Sequence, residues 1–381
     1  MPSYHILFLT KWYPHKGDEQ LGIFIKKHAL AAANFCKVSV LNVRTEKDLN
    51  AKFNINITTA KITEVQVLYR STNNSIVNFA RNTRAHFLGC KEIEKLNGKP
   101  HLIHTHVLFG LSLTTLIVST VKNLPFIISE HWHGFTNEKF SRKNFLFKWL
   151  LRFTANKSKT LTVVSSFLKN SMVKNNFGCD IIVVPNVVES TGAVNKIPVN
   201  KICLLSVADL VDDIKNISSV IEVFSEICKT NPTIEYHIIG GGGDENKLKT
   251  KAADTGLLDL QIFFHGQQSN DFVLSFLNSC SFVIINSYVE TFSVIAAESL
   301  LAGKPLVCTN CGGVSDFVDA ECGVLIDTGN KIQLKKALLF MIDNYNNYDA
   351  GKLKSKVEKR FSSEVIGQQF YSIYNSVLSK N

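Results

Sequence analysis

One carboxylate inside an otherwise apolar helix constrains this fold more than any other feature. From Val294 to Ala302 the sequence reads VIAAESLLA, so the predicted helix has little polar face and should be buried. Burial of Glu298 is costly unless the carboxylate is hydrogen-bonded. An apolar strand is predicted at 281–285, and Gly303 ends the helix before another strand begins at 306. The segment therefore predicts a strand, loop, helix and strand of an α/β sheet.

A second carboxylate, Glu290, falls in the loop before this helix. Loops at the carboxyl ends of strands are where open α/β sheets bind ligands. The first backbone N–H groups of a helix have no partner within it, so those of Phe292, Ser293 and Val294 predict an anion site. A phosphate flanked by two carboxylates is the expectation.

The rest of the chain alternates apolar strands with helices, and this alternation predicts parallel sheets with crossover helices. At 381 residues the length fits two domains of ordinary size. The segment from Glu189 to Asn200, which contains Gly, Pro, Thr and Asn, is the expected linker. Between the strand at 37–43 and Ser75 the sequence gives no clear pattern of strands or helices.

Positive charge is concentrated in the first half. Residues 1–190 have 25 Lys and Arg against 11 Asp and Glu, whereas residues 191–381 have 17 against 21. The asymmetry indicates either an anionic partner for the first domain or a basic solvated surface. Lipid headgroups and phosphorylated acceptors fit the first alternative. The sequence contains no nucleic-acid-binding motif, and we expect no nucleic-acid partner.

Residues 140–153 combine aromatic side chains with Arg142, Lys143, Lys148 and Arg152. A basic amphipathic helix of this kind can lie on an anionic membrane surface. An ordinary helix with its apolar face in the core requires the same periodicity, and both readings stay open. The longest uncharged apolar stretch, 107–121, is shorter than the roughly 20 residues of a spanning helix.

The nine cysteines are scattered through apolar segments, which predicts reduced and mostly buried thiols. Cys308 and Cys311 form a C-x-x-C with no second pair, so a metal or redox role is disfavoured. The apolar run at 5–9 has the length of a strand and not of a signal peptide. We expect a cytoplasmic protein, with a peripheral position on the cytoplasmic membrane face as the alternative.

The segment from Glu290 to Glu298 resembles the E-x7-E signature of retaining glycosyltransferases of family 4, also called group 1. Further segments follow that family's order along nearly the whole chain: 11–14 with 21–24, 101–106, 129–131, 184–187, 240–243, 264–266 and 311–316. The resemblance implies the GT-B fold, in which two Rossmann-like α/β/α domains with parallel sheets face each other across a cleft.

The resemblance also implies the division of the chain. Residues 1–190 would form the acceptor-binding domain and residues 191–362 the domain that binds the nucleotide-sugar donor. Residues 363–381 would form a helix that crosses back to the first domain.

By resemblance, several residues acquire roles in binding the donor. Glu298 accepts hydrogen bonds from ribose hydroxyls, Glu290 contacts the donor sugar, and the amides of Phe292, Ser293 and Val294 hold the distal phosphate. Lys215 matches the family lysine that clamps the diphosphate, whereas Asp209 occupies the usual arginine position. The remaining residues that match donor-binding positions are Gly22, Gly240, Gly242, His265 and Gly266.

His131 resembles the family histidine that hydrogen-bonds the donor sugar, so Glu290, His131 and Lys215 are the candidate catalytic residues. His104, His106, Glu130, His131 and His133 are also conceivable as metal ligands, because alternate residues of a strand share a face. The chain has no D-x-D triplet, and we expect neither a metal nor a cofactor.

The resulting expectation is an enzyme that moves a sugar from a nucleotide diphosphate sugar to a saccharide acceptor, with a lipid-linked acceptor favoured. Such a reaction belongs to the synthesis of cell-surface polysaccharides or glycolipids. Two alternatives remain: a nucleotide-sugar epimerase of the same architecture, and a catalytically silent nucleotide-sugar binding protein.

Overall fold

The computed structural model describes residues 4–189 and 201–379. These residues form two compact units: one holds the residues up to Val187 and those from Ser363 onward, and the other holds Val188 to Ser362. The expected linker from Glu189 to Asn200 lies outside the described residues, apart from Glu189 itself.

The described strands of the first unit form one sheet. They are β1 (His5–Thr10), β2 (Lys37–Glu46), β3 (Phe53–Thr59), β4 (Thr63–Arg70), β5 (Leu102–His106), β6 (Phe126–Glu130), β7 (Leu161–Val163) and β8 (Ile181–Val183). Their order is β3-β4-β2-β1-β5-β6-β7-β8, and β3 is antiparallel to its neighbour β4. The interior strands β1, β5 and β6 are buried along their whole length, as expected of parallel strands covered on both faces.

Helices cover this sheet. They are α1 (Ile23–Ala32), α2 (Ser75–Asn97), α3 (Ser112–Lys122), α4 (Glu138–Ser141), α5 (Phe145–Lys157) and α6 (Ser166–Lys174). The strand order reverses between β1 and β5, so the loops that follow these two strands flank a topological switch point. Strand register aligns His106 of β5 with Ser129 of β6, which places His131 just beyond the same sheet edge.

The described strands of the second unit are all parallel. They are β9 (Ile202–Val207), β10 (Ile234–Ile239), β11 (Ile262–Phe264), β12 (Phe282–Ile285), β13 (Leu306–Thr309) and β14 (Gly323–Ile326). The order β11-β10-β9-β12-β13-β14 is that of a doubly wound Rossmann sheet, with its switch point between β9 and β12. Lys215 lies in the connection that follows β9 and Glu290 lies in the loop that follows β12, so both are beside this switch point.

The helices of the second unit complete two layers around its sheet. They are α7 (Asp212–Lys215), α8 (Ile217–Cys228), α9 (Glu245–Asp254), α10 (Asn270–Ser279), α11 (Val294–Leu301), α12 (Lys331–Asn344) and α13 (Ala350–Phe361). The apolar faces of α8 and α12 pack on one side of the sheet around Phe224, Tyr236 and Leu338, all without solvent exposure.

After α13 the chain returns to the first unit as α14 (Ser363–Leu378), which packs along α1. Ile366, Phe370 and Tyr374 are fully buried in this contact. Gly367 permits the close approach, because a Cβ atom there would lie 2.3 Å from the carbonyl oxygen of Ala31.

Two segments differ from the sequence expectations. The less legible region before Ser75 forms the β3–β4 hairpin, whose edge strand β3 is mostly exposed. The prediction of one continuous basic helix at 140–153 is wrong. It is interrupted after Ser141 and restarts at Phe145, because the Asn144 side chain accepts a hydrogen bond from the N–H of Phe147 and caps α5.

Candidate active site

The loops at the switch point of the second unit bring Lys215 and Glu290 together. Lys215 Nζ lies 2.6 Å from Glu290 Oε1, although 75 positions separate them in sequence. Ser287 Oγ donates to the same carboxylate oxygen at 2.7 Å. Glu290 is 9% exposed, so its carboxylate is partly desolvated and held by a cation and a hydroxyl. Ser287 was not singled out from the sequence, although it precedes Glu290 in the same loop.

The backbone of Glu290 is fixed by the loop that follows β13. The N–H of Gly313 donates to the carbonyl oxygen of Glu290 at 2.8 Å. Gly312 has φ 57°, and a Cβ atom there would lie 1.9 Å from that same carbonyl oxygen. Glycine is therefore required at 312 by both conformation and space. This contact explains why a glycine pair at 312–313 accompanies the Glu290 loop.

The N-terminus of α11 begins directly beside this pair. Among the described residues, no acceptor is paired with the N–H groups of Phe292, Ser293 or Val294, as expected for the first turn of a helix. Ser293 has φ 68°, a left-handed conformation, and its buried Oγ has no hydrogen-bond partner among the described residues. Phe292 is buried and stacks on Phe317 at 5.2 Å. The site thus offers backbone donors and one unsatisfied hydroxyl to an anion.

Glu298 lies within α11 and is 8% exposed, as the sequence predicted for a carboxylate on an apolar helix.

The three aspartates near Lys215 differ in their surroundings. Asp212 is buried and accepts a hydrogen bond from the N–H of Ser218 at 2.9 Å, at the start of α8. Asp209 and Asp213 are exposed. Solvent screens an exposed carboxylate, which reduces its repulsion of a nearby diphosphate.

The glycine loop after β10 supports the loop that follows β9. A Cβ atom on Gly240 would lie 1.8 Å from the carbonyl oxygen of Ala208, and one on Gly242 would lie 2.5 Å from that of Leu210. The N–H of Leu210 also donates to the carbonyl oxygen of Gly241 at 2.9 Å. Glycine is therefore required at 240 and 242 by packing within the second unit, because this loop positions the segment that leads to Lys215.

His265 and Gly266 follow β11 beside this glycine loop. The N–H of Gly240 donates to the carbonyl oxygen of Gly266 at 2.8 Å. The ring of His265 stacks on His237, with His237 Nδ1 and His265 Nε2 3.0 Å apart. Burial is the main cause that lowers the pKa of both rings. They are therefore uncharged near pH 7.

In the first unit, Glu130 organises the backbone around His131. Its carboxylate accepts hydrogen bonds from the N–H groups of Leu108 at 2.9 Å, His131 at 2.7 Å and Trp132 at 2.8 Å. Burial raises the pKa of Glu130 to about 7 against the opposing effect of these three donors. The carboxylate therefore fixes the strand end, and it is not among the side chains whose ligand atoms converge around His131 in the described part of the chain.

His131 belongs to a buried group of histidines that differs from the group predicted from the sequence. Ring nitrogens of His28, His106 and His131 lie within 4.8 Å of one another. His28 comes from α1, and its Nε2 donates to the carbonyl oxygen of Pro185 at 3.0 Å, so its Nδ1 carries the lone pair. His104, expected in this group, instead bonds Tyr374 Oη at 2.8 Å and Ser129 Oγ at 2.7 Å.

This trio of His28, His106 and His131 could hold a divalent cation or hydrogen-bond a polar ligand. Burial is the first cause that lowers the pKa of all three, so the rings are neutral. His106 Nδ1 and His131 Nε2 are 3.3 Å apart, and His131 Nδ1 has no partner among the described residues. Neutral imidazole nitrogens are ligands for zinc and related ions. The expected metal independence therefore stays a prediction.

Gly22 begins α1 in a left-handed conformation, with φ 68°. A Cβ atom there would lie 2.6 Å from the carbonyl carbon and oxygen of Trp12. Glycine is thus needed for the close approach of the loop after β1 to the start of α1. The contact with donor phosphates that the resemblance implies is a separate expectation.

The remaining predictions from the sequence concern the thiols and the membrane. Cys308 and Cys311 are free thiols, and burial raises the pKa of Cys311 to about 11. Within the part of the chain that the structure describes, no helix is both long and apolar enough to span a bilayer. Helix α5 leaves Phe145, Leu146 and Trp149 exposed at 77%, 69% and 47%.

Comparison with known families covers most of the chain. The model of glycosyl transferases group 1 matches residues 187–356, and the model of glycosyltransferase family 4 matches residues 28–191. An uncharacterised glycosyltransferase of Methanocaldococcus jannaschii is 26% identical over 265 residues, which are 69% of this chain and 72% of that protein.

Solved structures share the fold. Sucrose-phosphate synthase from Thermosynechococcus elongatus superposes with a TM-score of 0.79 at 14% identity, over 99% of this chain and 100% of that one. The Anabaena protein HepE, in complex with UDP and glucose, superposes with a TM-score of 0.73 at 16% identity, over 98% and 100%. With two Rossmann-like units and both family models matched, this chain belongs to the GT-B glycosyltransferases of family 4 and is a glycosyltransferase.

Proposed function

We propose that this enzyme is a retaining glycosyltransferase that moves a sugar from a nucleoside diphosphate donor to a saccharide carried on a lipid. The observation that carries the donor assignment is the Lys215–Glu290 pair at the switch point of the second sheet, beside the start of α11. A cation and a helix N-terminus both favour a diphosphate. Since the Anabaena relative is in complex with UDP and glucose, we favour a UDP-sugar as the donor.

In the proposed reaction, the bond between the anomeric carbon and the diphosphate oxygen breaks. The acceptor hydroxyl attacks the same face of the sugar and forms the new glycosidic bond. Its proton passes to the departing phosphate oxygen, so the products are the glycoside and the nucleoside diphosphate. Negative charge on the leaving group is greatest as its bond breaks. Lys215, the N–H groups of 292–294 and the Ser293 hydroxyl would stabilise it there.

The other residues keep the roles that the family resemblance gives them. Glu290 would bind hydroxyls of the transferred sugar, and Glu298 would bind those of the ribose. The loop of Gly240 and Gly242, with His265 and Gly266, would lie against the nucleotide. His131 would hydrogen-bond the sugar as an uncharged imidazole, which agrees with its lowered pKa.

Asp209 supports a second candidate function, a nucleotide-sugar binding protein without turnover. The family's usual arginine at this position would add a second cation beside the diphosphate. An aspartate there removes that cation and adds a carboxylate, which would weaken stabilisation of the leaving group. We favour transfer because the Lys215–Glu290 geometry and the helix terminus are both in place.

For the acceptor, the proposal is a lipid-linked saccharide of cell-surface polysaccharide or glycolipid synthesis. The basic first half and the apolar side chains exposed on α5 support it. Both would suit an enzyme that works on the cytoplasmic face of a membrane as a peripheral protein.

A thermal-shift panel of nucleoside diphosphates and their sugars tests the donor assignment. A ligand present at about 100 times its Kd should stabilise the folded state by about 2.7 kcal/mol. We expect one nucleotide family to raise the Tm of the wild type and Lys215→Met to weaken that response. If no nucleotide raises the Tm, the donor assignment is wrong. If one does but no acceptor in a broad saccharide panel is glycosylated, the silent binding protein is favoured.

The proposed chemistry needs no metal, and a metal assay tests this point directly. We expect sugar transfer to continue after exhaustive chelation, and added Zn²⁺ to leave it unchanged or inhibit it through the trio of His28, His106 and His131. Loss of transfer on chelation, restored by a stoichiometric divalent cation, would overturn the metal-independent mechanism and assign the trio as a metal site.

A further inference from the structure

The edge strand β3 (Phe53–Thr59) directs one row of backbone hydrogen-bonding groups away from its sheet. Just before the strand, the N–H of Arg70 donates to the carbonyl oxygen of Lys52 at 3.2 Å. Just after it, the N–H of Ala60 donates to that of Ile62 at 3.1 Å. In an antiparallel pair, residues that exchange hydrogen bonds alternate with residues that do not. The even-numbered residues of β3 therefore bond β4, and the N–H and C=O groups of 53, 55, 57 and 59 point outward.

This outward row is neither paired nor protected. Within residues 4–189 and 201–379, β3 is the last strand of its sheet and pairs with β4 alone. Proteins usually guard such an edge with charged side chains, proline or a bulge. The strand reads FNINITT, with no charge and no proline, and its register with β4 is uninterrupted. Most of its side chains are exposed, including Ile57 at 43%. The edge is therefore open to pairing with another strand.

The strand is complementary to itself about Asn56. In an antiparallel pair of two copies centred there, Ile55 lies opposite Ile57 of the second copy, and Phe53 lies opposite Thr59. These are the residues with outward groups, so every outward N–H and C=O of both copies gains a partner. Cross-strand pairs of β-branched and aromatic side chains stabilise a sheet. This register alone pairs all four outward residues of β3 with those of a second copy.

The same register brings no like charges together. On the other face of the strand, Asn54 lies opposite Thr58 of the second copy, and both are polar and exposed. The flanking Lys52 and Lys61 lie opposite Ala60 and Ala51 of the second copy. Like charges directly opposite each other would have opposed the pairing. A second copy therefore fits this edge without any other sequence being required.

We infer that two copies of this chain associate through β3, antiparallel about a two-fold axis at Asn56, so that the sheets of their first units become one continuous sheet. A single pair of seven-residue strands buries less surface than the roughly 1,200–2,000 Å² of a stable interface. The dimer is therefore weak and depends on concentration. It involves neither the donor site nor the histidine trio.

Disulfide trapping in the purified protein tests the register. Asn56 faces its own copy in a pair that is not hydrogen-bonded, where Cα atoms lie about 4.5 Å apart, a separation that a disulfide can span. We expect Asn56→Cys to give a covalent dimer on mild oxidation, seen by non-reducing electrophoresis and reversed by dithiothreitol. The matched control is Asn54→Cys, whose copy lies about 13 Å away along the strand and should not cross-link. The double variant Asn54→Cys, Thr58→Cys should cross-link again.

Light scattering after size-exclusion chromatography tests the association without cross-linking. We expect the mean mass of the wild type to rise towards that of a dimer as the concentration increases. Ile57→Pro removes one outward N–H and leaves the β4 ladder intact, so it should stay monomeric. If that variant lowers the Tm, Ile57→Lys serves instead, because a charge on the edge also blocks pairing. Ile332→Lys, at an exposed position of the second unit, should associate as the wild type does.

Three results would overturn the inference. The first is a wild type that stays monomeric at every concentration together with Asn56→Cys that does not cross-link. The second is equal cross-linking of Asn54→Cys and Asn56→Cys, which would contradict pairing about Asn56. The third is cross-linking of Asn56→Cys in cells to a different protein and not to its own copy, which would assign the edge to another chain. These readouts need no nucleotide and no sugar transfer, so a failure of the proposed function leaves them unchanged.

Discussion

Glu290 is held by two donors on one oxygen, Lys215 Nζ and Ser287 Oγ, and this arrangement decides what its removal should do. Glu290→Gln keeps the shape but removes the charge that orients Lys215. We expect the transfer rate to fall by roughly 100-fold or more, the usual effect of losing one electrostatic group at a reaction centre. Initial-rate measurements at saturating donor check this.

The control for that variant is Glu226→Gln, an exposed carboxylate paired with Lys335 on the surface of the second unit. It should leave the rate unchanged, since surface ion pairs contribute little. Full transfer by Glu290→Gln would show that the pair only stabilises the loop.

Ser293 combines a strained backbone with a buried hydroxyl that lacks a partner among the described residues. Ser293→Gly relieves a left-handed conformation that costs about 1 kcal/mol, so the Tm should rise or stay level. Affinity for the nucleoside diphosphate should nevertheless fall by roughly tenfold, because one hydrogen bond to a charged group is lost. Calorimetric titration measures the affinity.

Ser293→Ala separates the two effects, since it removes the hydroxyl but keeps the strain. It should bind the nucleotide as weakly as Ser293→Gly does, without any gain in Tm. Wild-type affinity in both variants would exclude the hydroxyl from the phosphate site.

Site residues that belong to a sequence motif could be predicted from the sequence. Residues that come together only through packing of distant elements could not. The family resemblance assigned Lys215 and Glu290 to the donor site, but it did not predict their direct contact at 2.6 Å. His28 could not be joined to His131, because nothing in the sequence of α1 says which strand its face covers. Only the packing of α1 in the structure shows that His28 lies beside His131.

Among the elements, the glycine loop after β10 carries the clearest stability prediction. Gly240 has φ 141°, and any side chain there would meet the carbonyl oxygen of Ala208. Gly240→Ala should destabilise the second unit by about 2 kcal/mol or more, through strain and a displaced β9 loop. Urea unfolding followed by far-UV circular dichroism measures the loss.

Gly243→Ala in the same loop is the matched control, since a Cβ atom there would have no neighbour within 4 Å. Its stability should stay within about 0.5 kcal/mol of the wild type. Equal effects at 240 and 243 would contradict the close contact as the cause.

Elements were predictable from the sequence where burial on both faces made them uniformly apolar, as in β1 and β9. The edge hairpin was missed because β3 is mostly exposed and carries little hydrophobic signal. Asn144 is a residue type that favours a helix N-cap, but the apolar periodicity of 140–153 favoured one uninterrupted helix. The position of a strand at the edge of the sheet, and the place where a helix is interrupted, were thus harder to predict than the type of each element.

For the whole molecule, the histidines of the first unit predict how stability depends on pH. Burial lowers the pKa of His5, His28 and His86 to about 4, and holds the pKa values of His104, His106 and His131 well below 6.5. The unfolded chain takes up protons below about 6.5 while the folded unit does not. Stability is therefore fully present above that pH and is lost as the pH falls from 6.5 towards 4.

Each such histidine contributes a slope of about 1.4 kcal/mol per pH unit in this window. The pKa of Glu130 is raised from 4.5 to about 7, so this carboxyl acts in the opposite sense and removes stability as the pH rises from about 4.5 to about 7. Trp12, Trp132 and Trp149, the three tryptophans of the chain, all lie in the first unit, so their fluorescence follows its urea unfolding alone. A flat stability between pH 6.5 and 4.5 would contradict the neutral, buried state of these rings.

The return of α14 to α1 has a consequence for synthesis on the ribosome. Domains of a nascent chain usually become compact in the order in which they emerge. Here Ile366, Phe370 and Tyr374 belong to the core of the unit that is translated first, so that core lacks its closing helix until the whole second unit has been made. We therefore expect the later half to mature earlier, while the amino-terminal half waits in a chaperone-accessible form for the polypeptide to be released.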